Sequence, residues 1–278
     1  MSTLVLFGGN GMLGQALQQA LSGHTLHVLT HHEVDITDAA AVDRALQTIR
    51  PDYLINAAAY TKVDDCETQQ ELALRSNGLA PGILAVAAKQ HGCTLIHFST
   101  DYIFSGTKPE GYQESDSPDQ PVNYYGQTKL AGEQAIRAAG LKEYYIIRTA
   151  WLYGAHGINF VDTMLTLAKT KSQLQVVNDQ HGSPTYTVDL AVATKQFVEQ
   201  ALPYGIYHLT NTGDCTWYEF ATEIFRQAKL PVRVEPCTSA AFPRPAKRPT
   251  YSILLNTKLA PLRPWQAALA DYLSTVSG

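Results

Sequence analysis

The sequence predicts an α/β protein with a doubly wound parallel sheet and a smaller C-terminal α/β domain. Three observations lead to this prediction. A glycine-rich turn joins the first apolar strand to the first helix, and strand-like segments then alternate with amphipathic helical segments as far as residue 150. After residue 150 the alternation becomes irregular, which indicates a second unit. Regular alternation is typical of parallel sheets whose right-handed crossovers place helices on both faces.

Composition and charge exclude several classes of protein. The 278 residues, of which 45% are hydrophobic and 17% charged, suffice for a globular protein with a substantial core. A net charge of −4 gives no reason to expect a nucleic acid or an anionic membrane as partner. No apolar run approaches the roughly 18 residues of a membrane span, and the N-terminus lacks the pattern of a secretory signal. Four scattered cysteines predict reduced thiols, so we expect a cytoplasmic protein without a metal site.

The first candidate site is a glycine-rich turn after the strand at residues 4–7. Gly8, Gly11 and Gly14 form G-x-x-G-x-x-G, and Met12 and Leu13 open the helix that follows. Such a turn lets the backbone approach a pyrophosphate at the helix N-terminus, whereas an ordinary glycine-rich βα turn needs no ligand. The position between the first strand and the first helix favours a Rossmann-type dinucleotide site.

The residues after the second strand, 26–29, bear on which dinucleotide binds. Thr30, His31 and His32 stand where NAD-dependent proteins place a carboxylate for the ribose, and Glu33 comes late. Without a carboxylate there, a 2′-phosphate is not repelled and His31 can help to bind it. NADPH is therefore favoured as cofactor, and NADH stays possible. The alternative for the two histidines is a solvated turn.

The next elements lead to a second polar loop at the same edge of the sheet. The segment 35–38 supplies a helix N-cap, the helix runs to about residue 49, and the third strand covers residues 53–57. The loop 58–64 leaves the carboxyl end of that strand, where open α/β sheets bind ligands. A long amphipathic segment follows at about 67–90, interrupted by Asn77-Gly78.

A fourth strand and the helix after the next loop carry the candidate catalytic groups. The strand at 94–98 ends in Ser99-Thr100-Asp101-Tyr102, and a helix is predicted at 125–139 before the fifth strand, 144–149. Tyr125 and Lys129 lie one turn apart on one face of that helix. A neighbouring ammonium favours the phenolate and lowers the tyrosine pKa towards the working range. Because strand and helix are adjacent in the sequence, Thr100 and Tyr125 can meet over one cofactor.

These segments together resemble the extended short-chain dehydrogenase/reductase family. The resemblance covers nearly the whole chain, and its motifs are Gly8-x-x-Gly11-x-x-Gly14, 56–61, 99–104, Tyr125-Gly126-x-x-Lys129, 148–153, Asn159-Phe160, 178–185, 205–209, Thr216-Trp217 and 247–249.

The resemblance implies an NAD(P)H-dependent enzyme that reduces the C4 ketone of a dTDP-linked 4-keto-6-deoxysugar, as in dTDP-L-rhamnose synthesis. In such an enzyme Tyr125 donates the proton to the developing alkoxide. Lys129 binds the nicotinamide ribose and keeps the Tyr125 pKa low. Thr100 hydrogen-bonds the carbonyl oxygen.

Further contacts follow from the same resemblance. The expected cofactor contacts are Gly8, Gly11, Met12, Leu13, Gly14, Thr30, His31, Asp35, Ile36, Ala57, Ala58, Ala59, Tyr60, Thr61, Asn77, Ser99, Tyr125 and Lys129. The expected substrate contacts are Thr100, Asp101, Tyr102, Tyr125, Trp151, Asn159 and Arg248.

Alternative functions remain open on the sequence. Related 4,6-dehydratases carry an Asp-Glu pair after the threonine, and the Asp101-Tyr102 of this chain favours simple reduction. The chain also resembles a non-catalytic class, the dinucleotide-binding regulatory subunit of methionine adenosyltransferase. A reductase or epimerase of another nucleotide-linked ketosugar is a third possibility. We expect a nucleotide-sugar substrate and a monomer or homodimer.

In the second half, helices are predicted at about 160–171, 187–201, 216–228 and 266–275, and strands at about 175–177 and 205–209. We therefore divide the chain into a cofactor domain, 1–150 with 186–213 returning to it, and a sugar-nucleotide domain, 151–185 with 214–278. Arg248 could bind a diphosphate, but it could equally be a solvated arginine of a proline-rich loop.

Overall fold

The computed structural model describes residues 1–276. The strands are β1 (Thr3–Phe7), β2 (Thr25–Leu29), β3 (Tyr53–Asn56), β4 (Thr94–Thr100), β5 (Tyr144–Thr149), β6 (Leu152–Tyr153), β7 (Gln173–Val177), β8 (His181–Gly182), β9 (Thr185–Tyr186), β10 (Gly205–His208), β11 (Cys215–Thr216) and β12 (Arg233–Cys237). The α-helices are α1 (Met12–Ala20), α2 (Ala39–Ile49), α3 (Gln70–Ala73), α4 (Ala80–His91), α5 (Tyr124–Ala138), α6 (Phe160–Ala168), α7 (Thr187–Glu199), α8 (Trp217–Gln227) and α9 (Trp265–Val276). Among residues 1–276, no helix has the length and apolarity needed to cross a bilayer.

A six-stranded sheet organises the first half of the chain. Its order is β10-β5-β4-β3-β1-β2, and every neighbouring pair is parallel. The chain moves outward from β1 to β2 on one side of the sheet, and then from β3 through β4 and β5 to β10 on the other side. The helices that connect the strands therefore cover both faces of the sheet. The predicted doubly wound α/β fold is confirmed. All five strands predicted before residue 150 are present.

The central strands are buried on both faces because successive side chains point to opposite sides of the sheet. Leu4 and Leu6 of β1 belong to the core that α1 and α7 cover. Val5 and Phe7 belong to the other core, under α2 and α4. All seven residues of β4 are buried. The carboxyl ends of β1, β3, β4 and β5 therefore meet at one edge of a rigid platform.

The long segment after β3 is helical without a break. Wider π-type turns at Leu74–Leu79 join α3 to α4, so Asn77 and Gly78 continue the helix that the sequence predicts to be interrupted. Helix α5 packs closely there, and a Cβ at Gly132 would collide with the Asn77 carbonyl oxygen. Close packing fixes α5, with Tyr125 and Lys129, against this segment.

The second half contributes to two parts of the molecule. Strand β10 pairs with β5 in the main sheet, and β12, which the sequence analysis missed, pairs with β7 in a separate two-stranded parallel sheet. A further core forms among α6, α8 and α9 around Phe220 and Leu269. These contacts support the proposed division into a cofactor domain and a sugar-nucleotide domain, which stays a prediction.

Candidate active site

A cavity of about 430 Å³ lies at the carboxyl ends of the central strands. Its walls contain residues of the glycine turn, of the loop after β3, of the end of β4, and of α5. The lining residues are Gly11, Met12, Leu13, Gly14, Ala57, Ala58, Ala59, Thr61, Phe98, Ser99, Thr100, Asp101, Tyr125, Lys129, Thr149, Ala150, Trp151, Leu152 and Ile158. Eleven of the predicted cofactor contacts are thus in one place, together with Thr100, Asp101 and Trp151.

The glycine turn has the close packing that a dinucleotide cradle needs. Gly8 has φ +81°, and a Cβ there would lie 2.5 Å from the backbone nitrogen of Ala58. A Cβ at Gly14 would collide with the Gly8 carbonyl oxygen. Gly11 is the N-cap of α1, where no side chain of the described residues caps the helix. The first N–H groups of α1 are therefore available to an anion, as a pyrophosphate requires.

Asn77 holds the loop after β3 and is not part of the cavity wall. Its Oδ1 accepts from the Tyr60 nitrogen at 2.8 Å, and its Nδ2 donates to the Tyr60 carbonyl oxygen at 3.0 Å and to Thr128 Oγ1 at 3.3 Å. These bonds involve both ends of the amide and hold it away from the cavity wall, so the direct cofactor contact of Asn77 stays a prediction. The residue fixes the loop that carries Ala59 and Thr61.

The adenine end of the predicted site lies outside the cavity and differs from the expectation. Glu33 bends back to the end of β2, and its Oε2 accepts from both the nitrogen and Oγ1 of Thr30 at 2.8 Å. A carboxylate therefore does stand at the position that the sequence analysis describes as free of one. Asp35 Oδ1 lies 3.9 Å from exposed His31 Nδ1, whereas the Ile36 side chain is buried in the core.

Thr100, Asp101 and Tyr125 form a buried polar group at the end of β4. Thr100 Oγ1 donates to Asp101 Oδ1 at 2.9 Å and also lies close to the Tyr125 phenol. Asp101 Oδ2 has no hydrogen-bond partner among the described residues, because the neighbouring Ser252 hydroxyl donates to the His181 carbonyl oxygen at 3.3 Å. Burial raises the pKa of Asp101 to about 7.

The expected lowering of the Tyr125 pKa is contradicted by the structure. Burial raises the pKa of this phenol above its ordinary value; the nearby Thr100 hydroxyl opposes the rise and the Asp101 carboxylate adds to it. Lys129 Nζ instead donates to the Phe98 carbonyl oxygen at 2.7 Å. Burial lowers the pKa of Lys129 itself to about 8, against the opposing effect of Glu133. The cost of burying charge thus decides both pKa values.

Two further hydroxyls in the wall lack a partner among residues 1–276. Ser99 Oγ and Thr149 Oγ1 are buried and have no hydrogen bond within the described residues. Buried polar groups normally have partners, so these atoms suit the polar groups of a ligand. Thr149 lies beside Thr100 in the register of β4 and β5, and the sequence analysis did not select it. The rule that strand ends face the crevice could have found it.

A second cavity of about 370 Å³ lies next to the first. It is lined by Tyr102, Phe160, Met164, Gln175, Val176, Val177, Gln180, Trp217, Phe242, Arg244 and Arg248. Arg248 forms an ion pair with Asp64 at 3.0 Å and donates to the Ala246 carbonyl oxygen, so it is an anchored wall residue. Tyr102 meets Tyr125 edge to face at 5.8 Å between centroids and thereby connects this cavity to the candidate catalytic group.

The model of the RmlD substrate binding domain matches residues 1–277. The chain belongs to the RmlD family. A dTDP-4-dehydrorhamnose reductase of Streptomyces griseus is 44% identical over 283 residues, which cover 98% of this chain and 93% of that protein.

Solved structures with similar folds include two relatives from the same group. The dTDP-4-dehydrorhamnose reductase from Bacillus anthracis, in complex with NADP, has a TM-score of 0.95 at 39% identity and 99% coverage of both chains. A dTDP-4-dehydrorhamnose reductase from Clostridium acetobutylicum has a TM-score of 0.94 at 43% identity, covering 99% of this chain and 100% of that one. The RmlD fold therefore extends over the whole described chain.

One predicted substrate contact lies outside the residues that line the two cavities of this RmlD-family chain. Asn159 is buried, and its Oδ1 accepts from the Asp162 nitrogen as the N-cap of α6. Its Nδ2 donates to the Gly154 carbonyl oxygen at 2.9 Å and to Asp162 Oδ2 at 2.8 Å. The helix end and the adjacent loop thus engage both polar groups of Asn159, and its contact with the substrate stays a prediction.

Proposed function

We propose that this protein reduces the C4 ketone of dTDP-4-dehydro-L-rhamnose to a hydroxyl and so forms dTDP-L-rhamnose, with NADPH as the reductant and NADH also possible. One observation carries the proposal: Thr100, Tyr125 and Lys129 line the same cavity as the glycine turn. The names of the RmlD-family relatives support the substrate.

The cofactor end of the proposal rests on residues that fit a dinucleotide. The tight contacts of Gly8 and Gly14 and the uncapped start of α1 suit a pyrophosphate. When bound, NADPH supplies the hydride. Lys129, fixed by the Phe98 carbonyl oxygen, lines the same cavity and can donate a further hydrogen bond to the cofactor. Ser99 and Thr149 offer further hydroxyls in the same wall.

At the reacting carbonyl of the substrate, two hydroxyl groups of the protein are proposed to contact the same oxygen atom. Tyr125 donates its proton to the alkoxide that develops at C4, and Thr100 hydrogen-bonds the same oxygen. The raised pKa of Tyr125 keeps the phenol protonated at neutral pH, so it is ready to act as the acid. Asp101, buried next to Thr100, is suited to orient the threonine hydroxyl through their 2.9 Å hydrogen bond.

The nucleotide end is assigned to the second cavity. Arg244 and Arg248 supply positive charge for a diphosphate, and Phe160 and Trp217 supply aromatic faces for a base. Because Tyr102 contacts Tyr125, a substrate can extend from this cavity to the catalytic group without leaving the protein.

The test is NADPH oxidation with dTDP-4-dehydro-L-rhamnose, with the product identified by NMR. We expect stoichiometric formation of dTDP-L-rhamnose. Parallel assays with other nucleotide-linked 4-ketosugars test the assigned sugar. Faster turnover of one of these would overturn the substrate assignment, and NADPH binding without oxidation of any ketosugar would overturn the enzymatic function in favour of a regulatory dinucleotide-binding role. The cytoplasmic location and the monomeric or homodimeric state stay predictions.

A further inference from the structure

A buried row of polar side chains adjoins Lys129 and does not line the cavity. Asn56 of β3 and His97 of β4 are each 1% exposed, and Lys129 is 2% exposed. The two strands pair in register at these positions, which places Asn56 beside His97. His97 is not part of either cavity wall, so it acts only through the groups that it contacts.

The hydrogen bonds of Asn56 fix the proton of His97. Asn56 Oδ1 accepts from the Ala58 nitrogen at 3.1 Å, so the amide nitrogen faces the other way. This Nδ2 lies 3.0 Å from His97 Nδ1 and can only donate to it. His97 Nδ1 is therefore the acceptor, and the neutral imidazole carries its proton on Nε2.

The protonated nitrogen of His97 faces Lys129. Nε2 lies 3.5 Å from Lys129 Nζ, which also donates to the Phe98 carbonyl oxygen at 2.7 Å. An ammonium has no lone pair, so its contact with an N–H group brings two donors together. A neutral amine accepts from Nε2 and still donates to Phe98. Every hydrogen bond of the row is then donated in the same direction, beginning at the Ala58 nitrogen and ending at the Phe98 carbonyl oxygen.

We propose that His97 is a positioning residue that stabilises the neutral form of Lys129 and thereby enables Lys129 to release a proton during turnover. This inference rests on the proposed reductase function and adds a role for a residue outside both cavities. In a reduction, the proton that Tyr125 gives to the alkoxide must be replaced. Lys129 supplies that proton, becomes a neutral amine that accepts from His97, and regains a proton from solvent.

The surrounding charges agree with this role. Burial, and secondarily Lys129, hold the pKa of His97 well below its ordinary value, so the ring stays neutral. Glu133, one helical turn after Lys129, favours the ammonium, but Arg148 of β5 binds both of its oxygens at 2.8–2.9 Å. Tyr125 and Asp101 are the remaining titratable groups in the wall that Lys129 lines.

The test compares two amide variants at position 97. His97→Gln keeps a donor that reaches Lys129, whereas His97→Asn still meets Asn56 but is too short for Lys129. Loss of the donor raises the Lys129 pKa, so the alkaline fall of kcat should move up by about one pH unit in His97→Asn, as expected for one hydrogen bond. His97→Gln should retain the wild-type profile. NADPH affinity and thermal unfolding establish that both variants are folded.

A third variant keeps the test valid if His97→Asn does not fold. Asn56→Asp presents an acceptor to Nδ1, which moves the ring proton to Nδ1 and leaves Nε2 to accept from the ammonium. In Asn56→Asp the alkaline fall of kcat should also move to higher pH. An unchanged alkaline fall of kcat in folded His97→Asn overturns the proposal, and so does a shift in Asn56→Asp while His97→Asn stays at the wild-type pH, because added charge alone explains that result. Where His97→Asn does not fold, an unchanged alkaline fall in Asn56→Asp overturns it. A wild-type protein without any turnover refutes the proposed function instead.

Discussion

The indole rings of Trp151 and Trp217 are stacked, with centroids 3.5 Å apart and planes 7° from parallel. Trp151 lines the cavity of the glycine turn and Trp217 lines the neighbouring one, so the pair forms the partition between them. Trp151 adopts a left-handed backbone, φ +46°, which is uncommon for a bulky residue and must be held by its surroundings. The partition is thus fixed by tertiary contacts on both sides.

Gly182→Ala is expected to disturb this partition. A Cβ at position 182 would collide with the Trp151 indole, which is held by the stack and cannot move without breaking it. We predict a rise in KM for the nucleotide sugar of about tenfold, equivalent to ~1.4 kcal/mol of overpacking. Steady-state kinetics measure it, and the exciton signal of the paired indoles in circular dichroism should weaken. Gly23→Ala is the control, since its Cβ would meet no atom of the described part of the chain within 4 Å. Unchanged KM in Gly182→Ala would contradict the predicted role.

Tyr125→Phe should abolish proton donation while preserving the fold. Removal of a general acid typically costs about 10²–10⁴-fold in rate, and we expect kcat to fall within that range. The affinity for NADPH, measured by fluorescence titration, should change little because the ring is retained. Tyr124→Phe is the matched control on the same helix, outside both cavities. Comparable turnover in the two variants would show that Tyr125 is not the proton donor.

Asp101→Asn should change how stability depends on pH. In the unfolded chain the Asp101 carboxyl loses its proton near the ordinary pKa of about 4, whereas in the folded chain it loses the proton near pH 7. Between those values only the folded state keeps the proton, so the free energy of unfolding decreases as pH rises and the loss is complete above about 7. The asparagine avoids this loss. The Tm of Asp101→Asn minus that of wild type should therefore increase by at least about 2–4 °C from pH 5 to pH 8. This corresponds to a change of the order of 1 kcal/mol in the difference between their free energies of unfolding.

Asp116→Asn is the control with the opposite sign. The Lys108 ammonium, 2.7 Å away, holds the pKa of Asp116 below its usual value. That carboxylate stabilises the folded state above its unfolded pKa, and the contribution is lost as pH falls. Asp116→Asn should therefore be less stable than wild type at pH 8, with the difference closing in acid. If Asp101→Asn behaved in the same way, the buried protonated carboxyl would be disproved.

Glu33→Gln should alter cofactor preference. The carboxylate of Glu33 occupies both hydrogen-bond donors of Thr30 and brings negative charge to the end of β2. A 2′-phosphate at this end is repelled by that charge, whereas a ribose hydroxyl is not. We expect the ratio of kcat/KM for NADPH over NADH to rise about fivefold. Glu143→Gln, exposed at the opposite edge of the sheet before β5, should leave the ratio unchanged. A ratio that falls or stays constant in Glu33→Gln would exclude this role.

Much of this protein follows from short-range patterns in its sequence. The order of strands and helices to residue 150 follows from hydrophobic periodicity, and Asp38 caps α2 as the segment 35–38 predicts. The glycine spacing defines a tight turn because Gly8 has a positive φ and a Cβ at Gly14 would collide with the Gly8 carbonyl oxygen. The four-residue spacing places Tyr125 and Lys129 on one helix face whatever surrounds the helix. These features depend on neighbours within a few residues, so the sequence alone determines them.

Other features depend on partners that are distant in the sequence. Asn77 and Asn159 have the residue type of a ligand contact, but the fold engages their side-chain amides elsewhere. The partition made by Trp151 and Trp217, and the row from Asn56 to Lys129, join segments that only the folded chain brings together. The sequence places Tyr125 next to Lys129, but burial decides their pKa values, because the cost of removing a charge from water depends on every group packed around it.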